Sequence, residues 1–235
     1  MVGRENSERD FIIIGGCHVS GFGAEGSPSF IDIVESNLNL KCKLKKTMFQ
    51  LKNVTELESI LDCYCSDLVF LQVGNYEFDG SIKTLLSSSK KKSNSVSNSS
   101  PRESSVFSKG RSSLYFSSVS ILRWLLIPVI WMNTKRKNSK YLFSLQEIIK
   151  KNTEKTFVII SPLPCYYTPS SIVRRNAGVY YKNLFTMQNA IFVDVFDEFE
   201  IIKTNFYDRH HLSAKGHEQL GQIIVTKLLS TIKSS

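Results

Sequence analysis

Four short runs of consecutive apolar residues punctuate the chain, and each stops at glycine, proline or a polar turn. Phe11–Ile14 runs into Gly15 and Gly16, and residues 67–73 (DLVFLQV) run into Gly74 and Asn75. Thr156–Ile160 stops at the sequence SPLP, and residues 190–196 (AIFVDVF) complete the set. Runs of this length without alternation predict strands buried on both faces, as in a parallel sheet. Residues 40–49 make a weaker strand candidate. Between these runs the apolar positions change to helical spacing. Phe30, Ile31, Ile33 and Val34 share one face, with Ser27 as cap and Pro28 at the first helical position. Helices are also predicted over 54–65, 121–131, 141–151, 172–184 and 213–232, the last carrying Leu220, Ile223, Ile224 and Leu228 on one side.

Alternating buried strands and helices predict an α/β fold: a three-layer α/β/α arrangement around a mainly parallel sheet. Ligands in such folds bind at the carboxyl ends of the strands. That rule directs attention to Gly15–Gly21, Gly74–Glu77, and the segment after Phe196.

Composition adds one interruption. Residues 85–118 are rich in Ser and Lys and too poor in apolar groups to order themselves, so they are expected to be a disordered insertion in a single domain spanning 1–235. The formal charge of +9 is concentrated there and at Lys135, Arg136, Lys137 and Lys140. No motif of interleaved aromatics accompanies these basic stretches, so no nucleic acid is expected and solvated loops explain them. Residues 121–131 are apolar almost all round. They suit a core or lid helix, with weak membrane-surface contact as the alternative. No signal peptide or membrane span is evident, and five cysteines (17, 42, 63, 65 and 165) form no disulfide framework. A cytoplasmic setting is the expectation.

The strongest local chemistry lies in YDRHHLSAKGHEQLG. Asp208 and His211 stand three apart just before a helix. At that spacing a carboxylate can bond one imidazole nitrogen, fix the tautomer, and leave the other nitrogen free as a base. Further back lie Asn75, at the end of a central strand, and the pattern G-x-C-x-x-x-G over Gly15–Gly21.

In order and in strand placement these blocks resemble the SGNH/GDSL hydrolase superfamily, which opens with G-D-S-x-x-x-G, places an Asn after a middle strand and closes with D-x-x-H. The resemblance implies a nucleophile at Cys17, a base at His211 and an orienting acid at Asp208. It implies an oxyanion hole from Asn75 and the Cys17 backbone N–H. The implied chemistry is acyl transfer through a covalent acyl-enzyme on a small-molecule ester or thioester, such as an O-acylated sugar or lipid, without cofactor or metal. Three departures stand out. Gly16 replaces the family's Asp, Cys17 its Ser, and no glycine lies between Cys42 and Leu71 to match the family's second block. Thr47–Asn53 is the segment from which a substitute donor would have to come. A fold kept for binding or scaffolding alone is the alternative that these departures favour.

A thiolate at a strand end would gain from nearby backbone N–H groups and from His211. The side chain of His18 is expected to point away along the turn, which makes it a candidate for substrate binding and a lesser candidate than His211 for the base. Glu77, Arg174 and Arg175 are further candidates for substrate binding, the arginines for an anionic group or the phosphate of an acyl carrier. His210 is expected at the surface or against substrate, and His217 in a structural role. A zinc set of Cys17, His211 and His217 matches no zinc spacing.

Overall fold

A computed structural model describes residues 9–79 and 113–234. Five strands, β1 (Arg9–Gly15), β2 (Leu40–Lys46), β3 (Leu68–Gln72), β4 (Thr156–Ile160) and β5 (Ala190–Val193), form one sheet in the order β2-β1-β3-β4-β5. Every pairing is parallel. Among the described residues five helices accompany them: α1 (Phe30–Leu38), α2 (Glu56–Cys63), α3 (Ser113–Lys151), α4 (Thr168–Leu184) and α5 (Ala214–Ser234).

Strand alternation sorts the helices into two layers. Ile12, Ile14, Val69, Leu71, Phe157 and Ile159 pack with residues of α2, α3 and α4 on one face. Phe11, Ile13, Phe70, Val158 and Ile160 pack with α1 and α5 on the other. This is the three-layer α/β/α arrangement. Strand order reverses between β1 and β3, and the loops after these two strands carry Cys17 and Asn75.

Three details differ from the sequence expectation. First, the cap of α1 is Ser29, not Ser27. The Ser29 side chain accepts from the Asp32 N–H, and Asp32 accepts from the Ser29 N–H, so the reciprocal capping box fixes the start two residues later. Second, the helices predicted over 121–131 and 141–151 are one helix, which begins at Ser113 and runs through Pro128. Proline removes one N–H from the ladder, yet Ile127, Ile130, Leu142 and Leu145 remain buried against one core. Trp124, Leu125, Val129 and Met132 face outward, so the stretch that looked apolar all round is half exposed. Third, β5 ends at Val193 and the chain enters a loop at Asp194. Of the expected insertion, residues 85–112 lie outside the described residues, and 113–118 belong to α3. Among the described residues no helix is long and apolar enough to cross a membrane, and all five cysteines are free thiols.

Candidate active site

Cys17 opens a 3-10 turn, Cys17–Ser20, directly after β1. Its side chain is 7% exposed. Gly74 shapes the opposing loop: its φ is +105°, and an added Cβ would stand 2.6 Å from the Tyr181 hydroxyl. Only glycine fits there, and the turn it permits brings Asn75 over the sheet edge.

The segment after β5 supplies the third element. The Asp208 carboxylate accepts from the backbone N–H groups of His210 and His211 at 2.7 and 2.8 Å. Its second oxygen lies 2.8 Å from His211 Nδ1. Although burial opposes ionisation, these hydrogen bonds hold Asp208 below its ordinary pKa. With Nδ1 engaged, Nε2 is the nitrogen left over, and His211 lines the same hollow as Cys17. The Phe22 ring covers the imidazole at 4.6 Å between centroids.

Burial alone would raise the Cys17 pKa. Hydrogen bonds and charge from His18 and His211 outweigh it and bring the thiol down to about 5. Burial would likewise lower His211, but Cys17 and Asp208 hold it above its ordinary value. Both shifts favour the charged form of the group concerned. Elsewhere the effect is opposite: burial and Glu35 push Cys42 up to about 11, and burial raises Cys165.

His18 does not point away along the turn. It is 1% exposed, its Nδ1 lies 3.7 Å from Cys17 Sγ and 3.3 Å from Asn75 Nδ2, and its ring is 5.6 Å from that of His211. The reason is the 3-10 turn, which folds residue 18 back beneath the strand end instead of along an extended loop. His18 therefore packs between the nucleophile candidate and Asn75. His217 accepts from the Phe30 N–H at 3.4 Å and donates to the Phe22 carbonyl at 3.0 Å, and burial lowers its pKa to about 4. It is a neutral strut between helix and loop. No group of three potential metal ligands occurs among the described residues.

The remaining candidates separate. Arg174 is buried, and its guanidinium donates to the Asn75 and Leu163 carbonyls at 2.8 and 3.1 Å. Asn75 Oδ1 accepts from the Leu163 N–H at 2.7 Å. Arg174 thus clamps the loops after β3 and β4 while lining the site. Arg175 lies at the surface with Asp197, 3.6 Å away, and has no place in the pocket. Glu77 turns inward, accepts from the Leu51 N–H at 2.6 Å and organises the loop, away from the lining. A hollow of about 240 Å³ is lined by Cys17, Asn75, Tyr76, Asp79, Arg174 and the imidazoles of His18, His210 and His211. Tyr76 and Asp79 were not singled out in the sequence. Their only signal was position, one and four residues beyond Asn75 in a strand-end loop. Two larger surface hollows, of about 410 and 570 Å³, contain no cysteine or histidine.

No family model and no curated protein matches the chain. Solved structures do. An acetylxylan esterase from Geobacillus stearothermophilus aligns with TM-score 0.58 and 13% identity, over 94% of this chain and 94% of that one. A G-D-S-L family lipolytic protein from Veillonella parvula aligns with TM-score 0.53 and 12% identity, over 93% and 97%. TesA aligns with TM-score 0.53 and 10% identity, over 94% and 98%. The fold is that of the SGNH-like hydrolases. Two solved forms of the Geobacillus esterase are described as catalytic mutants, one at an aspartate and one at a histidine three positions later. Asp208 and His211 have the same spacing in this SGNH-like chain.

Proposed function

We propose that the protein is a cysteine-dependent esterase or acyltransferase acting on a small ester or thioester. The observations that support this reading are the Asp208–His211 pair, with the carboxylate 2.8 Å from Nδ1, and its place in one hollow with Cys17, whose thiol the neighbouring imidazoles bring down to about 5. The spacing of the two catalytic positions in the Geobacillus esterase supports it.

In the first half-reaction the Cys17 thiolate attacks the acyl carbon and forms a C–S bond. The bond from that carbon to the leaving oxygen or sulfur breaks, and His211 gives its Nε2 proton to the departing group. In the second, neutral His211 takes a proton from water or an acceptor alcohol or amine, whose attack breaks the thioester and restores the thiolate. Asp208 keeps Nδ1 as the bonded nitrogen throughout. Asn75 and the Cys17 N–H would be the donors to the oxyanion. A hollow of about 240 Å³ is smaller than typical pockets for drug-sized ligands, which favours a short acyl group.

The test is incubation with p-nitrophenyl acetate, read by p-nitrophenol release and by intact mass. A burst with a one-acetyl mass increase, lost in Cys17→Ala and strongly slowed in His211→Ala, is expected. Absence of any acyl adduct in the wild type would leave a binding or scaffold role as the better account.

A further inference from the structure

An oxyanion needs donors, and this site has few to offer. The Cys17 N–H is one. The Asn75 amide nitrogen is another, and it lies 3.3 Å from His18 Nδ1. In the 47–53 segment three N–H groups are already engaged. The N–H of Phe49 is bonded to the Gly15 carbonyl, that of Leu51 to Glu77, and that of Asn53 to the Gln50 carbonyl.

Tyr76 stands in the gap. Its ring lies flat against the turn at Gly16, where an added Cβ would come within 3.1 Å of Cε2. Its hydroxyl reaches the Met48 sulfur at 3.8 Å, and its side chain lines the same hollow as Cys17. Burial and the neighbouring thiolate hold the phenol protonated far into alkaline pH, so it is a donor at every working pH. When the thiolate bonds to an acyl carbon, the carbonyl oxygen is held two bonds from sulfur, inside the hollow that Cys17 and Tyr76 both line. The ring is 43% exposed, so the hydroxyl can shift by a small rotation as the oxygen arrives.

We infer that the Tyr76 hydroxyl is a catalytic oxyanion donor, and that Gly16 is glycine so that the Tyr76 ring can lie against the turn and deliver it. This inference rests on the acyl-transfer reading of the site. It explains two features together, the absence of a side chain at position 16 and a tyrosine lining the hollow of the nucleophile.

The test compares two reactions of Cys17 at pH 8, where the thiolate is fully formed. Acylation by p-nitrophenyl acetate builds an oxyanion, whereas alkylation by iodoacetamide does not. Tyr76→Phe keeps the ring and removes the hydroxyl. It is expected to slow acyl-enzyme formation about 100-fold, the scale of losing one oxyanion donor, with Cys17 alkylation unchanged. Gly16→Ala, which crowds the ring, is expected to slow acylation in the same direction with alkylation again intact. If the wild type acylates and Tyr76→Phe acylates as fast or faster, the inference is overturned while the acyl-transfer reading stands. If the wild type forms no acyl-enzyme, that reading falls and takes the inference with it.

Discussion

At the residue scale the decisive property is the ionisation of one thiol. An ordinary cysteine, with a pKa of about 8.5, is well under 1% thiolate at pH 6. Cys17, at about 5, is mostly thiolate there. Iodoacetamide reacts with the ionised form, so its rate at Cys17 should rise as pH increases through about 5 and then level off. Site-resolved mass spectrometry at pH 6 should show Cys17 labelled ahead of the exposed Cys63 and Cys65. His211→Ala should move the midpoint to higher pH, because a cation that favours the thiolate is gone. It should stay below the ordinary thiol value, because His18 remains at 3.7 Å. For acyl transfer the profile should be a bell: the acid limb follows protonation of Cys17, and the alkaline limb follows loss of the imidazolium proton of His211 above its ordinary 6.5. A Cys17 midpoint near 8.5 would contradict the lowered thiol pKa.

At the element scale, local chemistry sets where helices begin and so where the loops of the site end. The capping box of α1 is a direct case. Ser29→Ala should cost about 1 kcal/mol of unfolding free energy, read as a lower urea midpoint with unchanged slope, and Ser27→Ala should cost nothing measurable. Each sequence reading succeeded or failed for a physical reason at this scale. Phe11–Ile14 and Thr156–Ile160 were legible because strands buried on both faces require continuous apolar runs. The Asp208–His211 pair was legible because its function depends on local spacing. The cap of α1 was misplaced because Pro28 resembles a helical first position, whereas the decision lies in the reciprocal bonds of Ser29 and Asp32. The unity of α3 was hidden because Pro128 and the polar stretch 133–140 interrupt the apolar pattern. Tertiary packing of Ile127, Ile130 and Leu142 carries the helix through. The inward turn of His18 and the approach of Tyr76 to Cys17 were not legible at all. Both depend on how loops far apart in sequence meet across the switch in strand order.

At the scale of the whole molecule, the site exists only because three strand-end loops are held in register. Cys17, Asn75 and His211 come from the first, middle and last parts of the chain, and no hydrogen bond in the sheet itself fixes one loop against another. The cross-loop bonds do that. Arg174, in the second turn of α4, donates to the Asn75 carbonyl and to the Leu163 carbonyl in the loop after β4, and the Leu163 N–H returns a bond to the Asn75 side chain. Because Arg174 is 4% exposed, removing it leaves two carbonyls short of a partner inside the protein. Each lost bond to a charged donor is worth about 1.5–3 kcal/mol, so Arg174→Met should lower unfolding free energy by about 3–5 kcal/mol. Arg174→Lys should recover little, since an ammonium cannot span two carbonyls with a planar fork. The same substitution should uncouple the two reactions of the nucleophile. Cys17 and His211 belong to loops that Arg174 does not bond, so alkylation should persist in the folded fraction, while acyl-enzyme formation falls as Asn75 loses its position. Urea denaturation together with the two rate measurements checks this. Equal loss of alkylation and acylation in folded protein would show that Arg174 holds the nucleophile itself rather than the oxyanion side of the site.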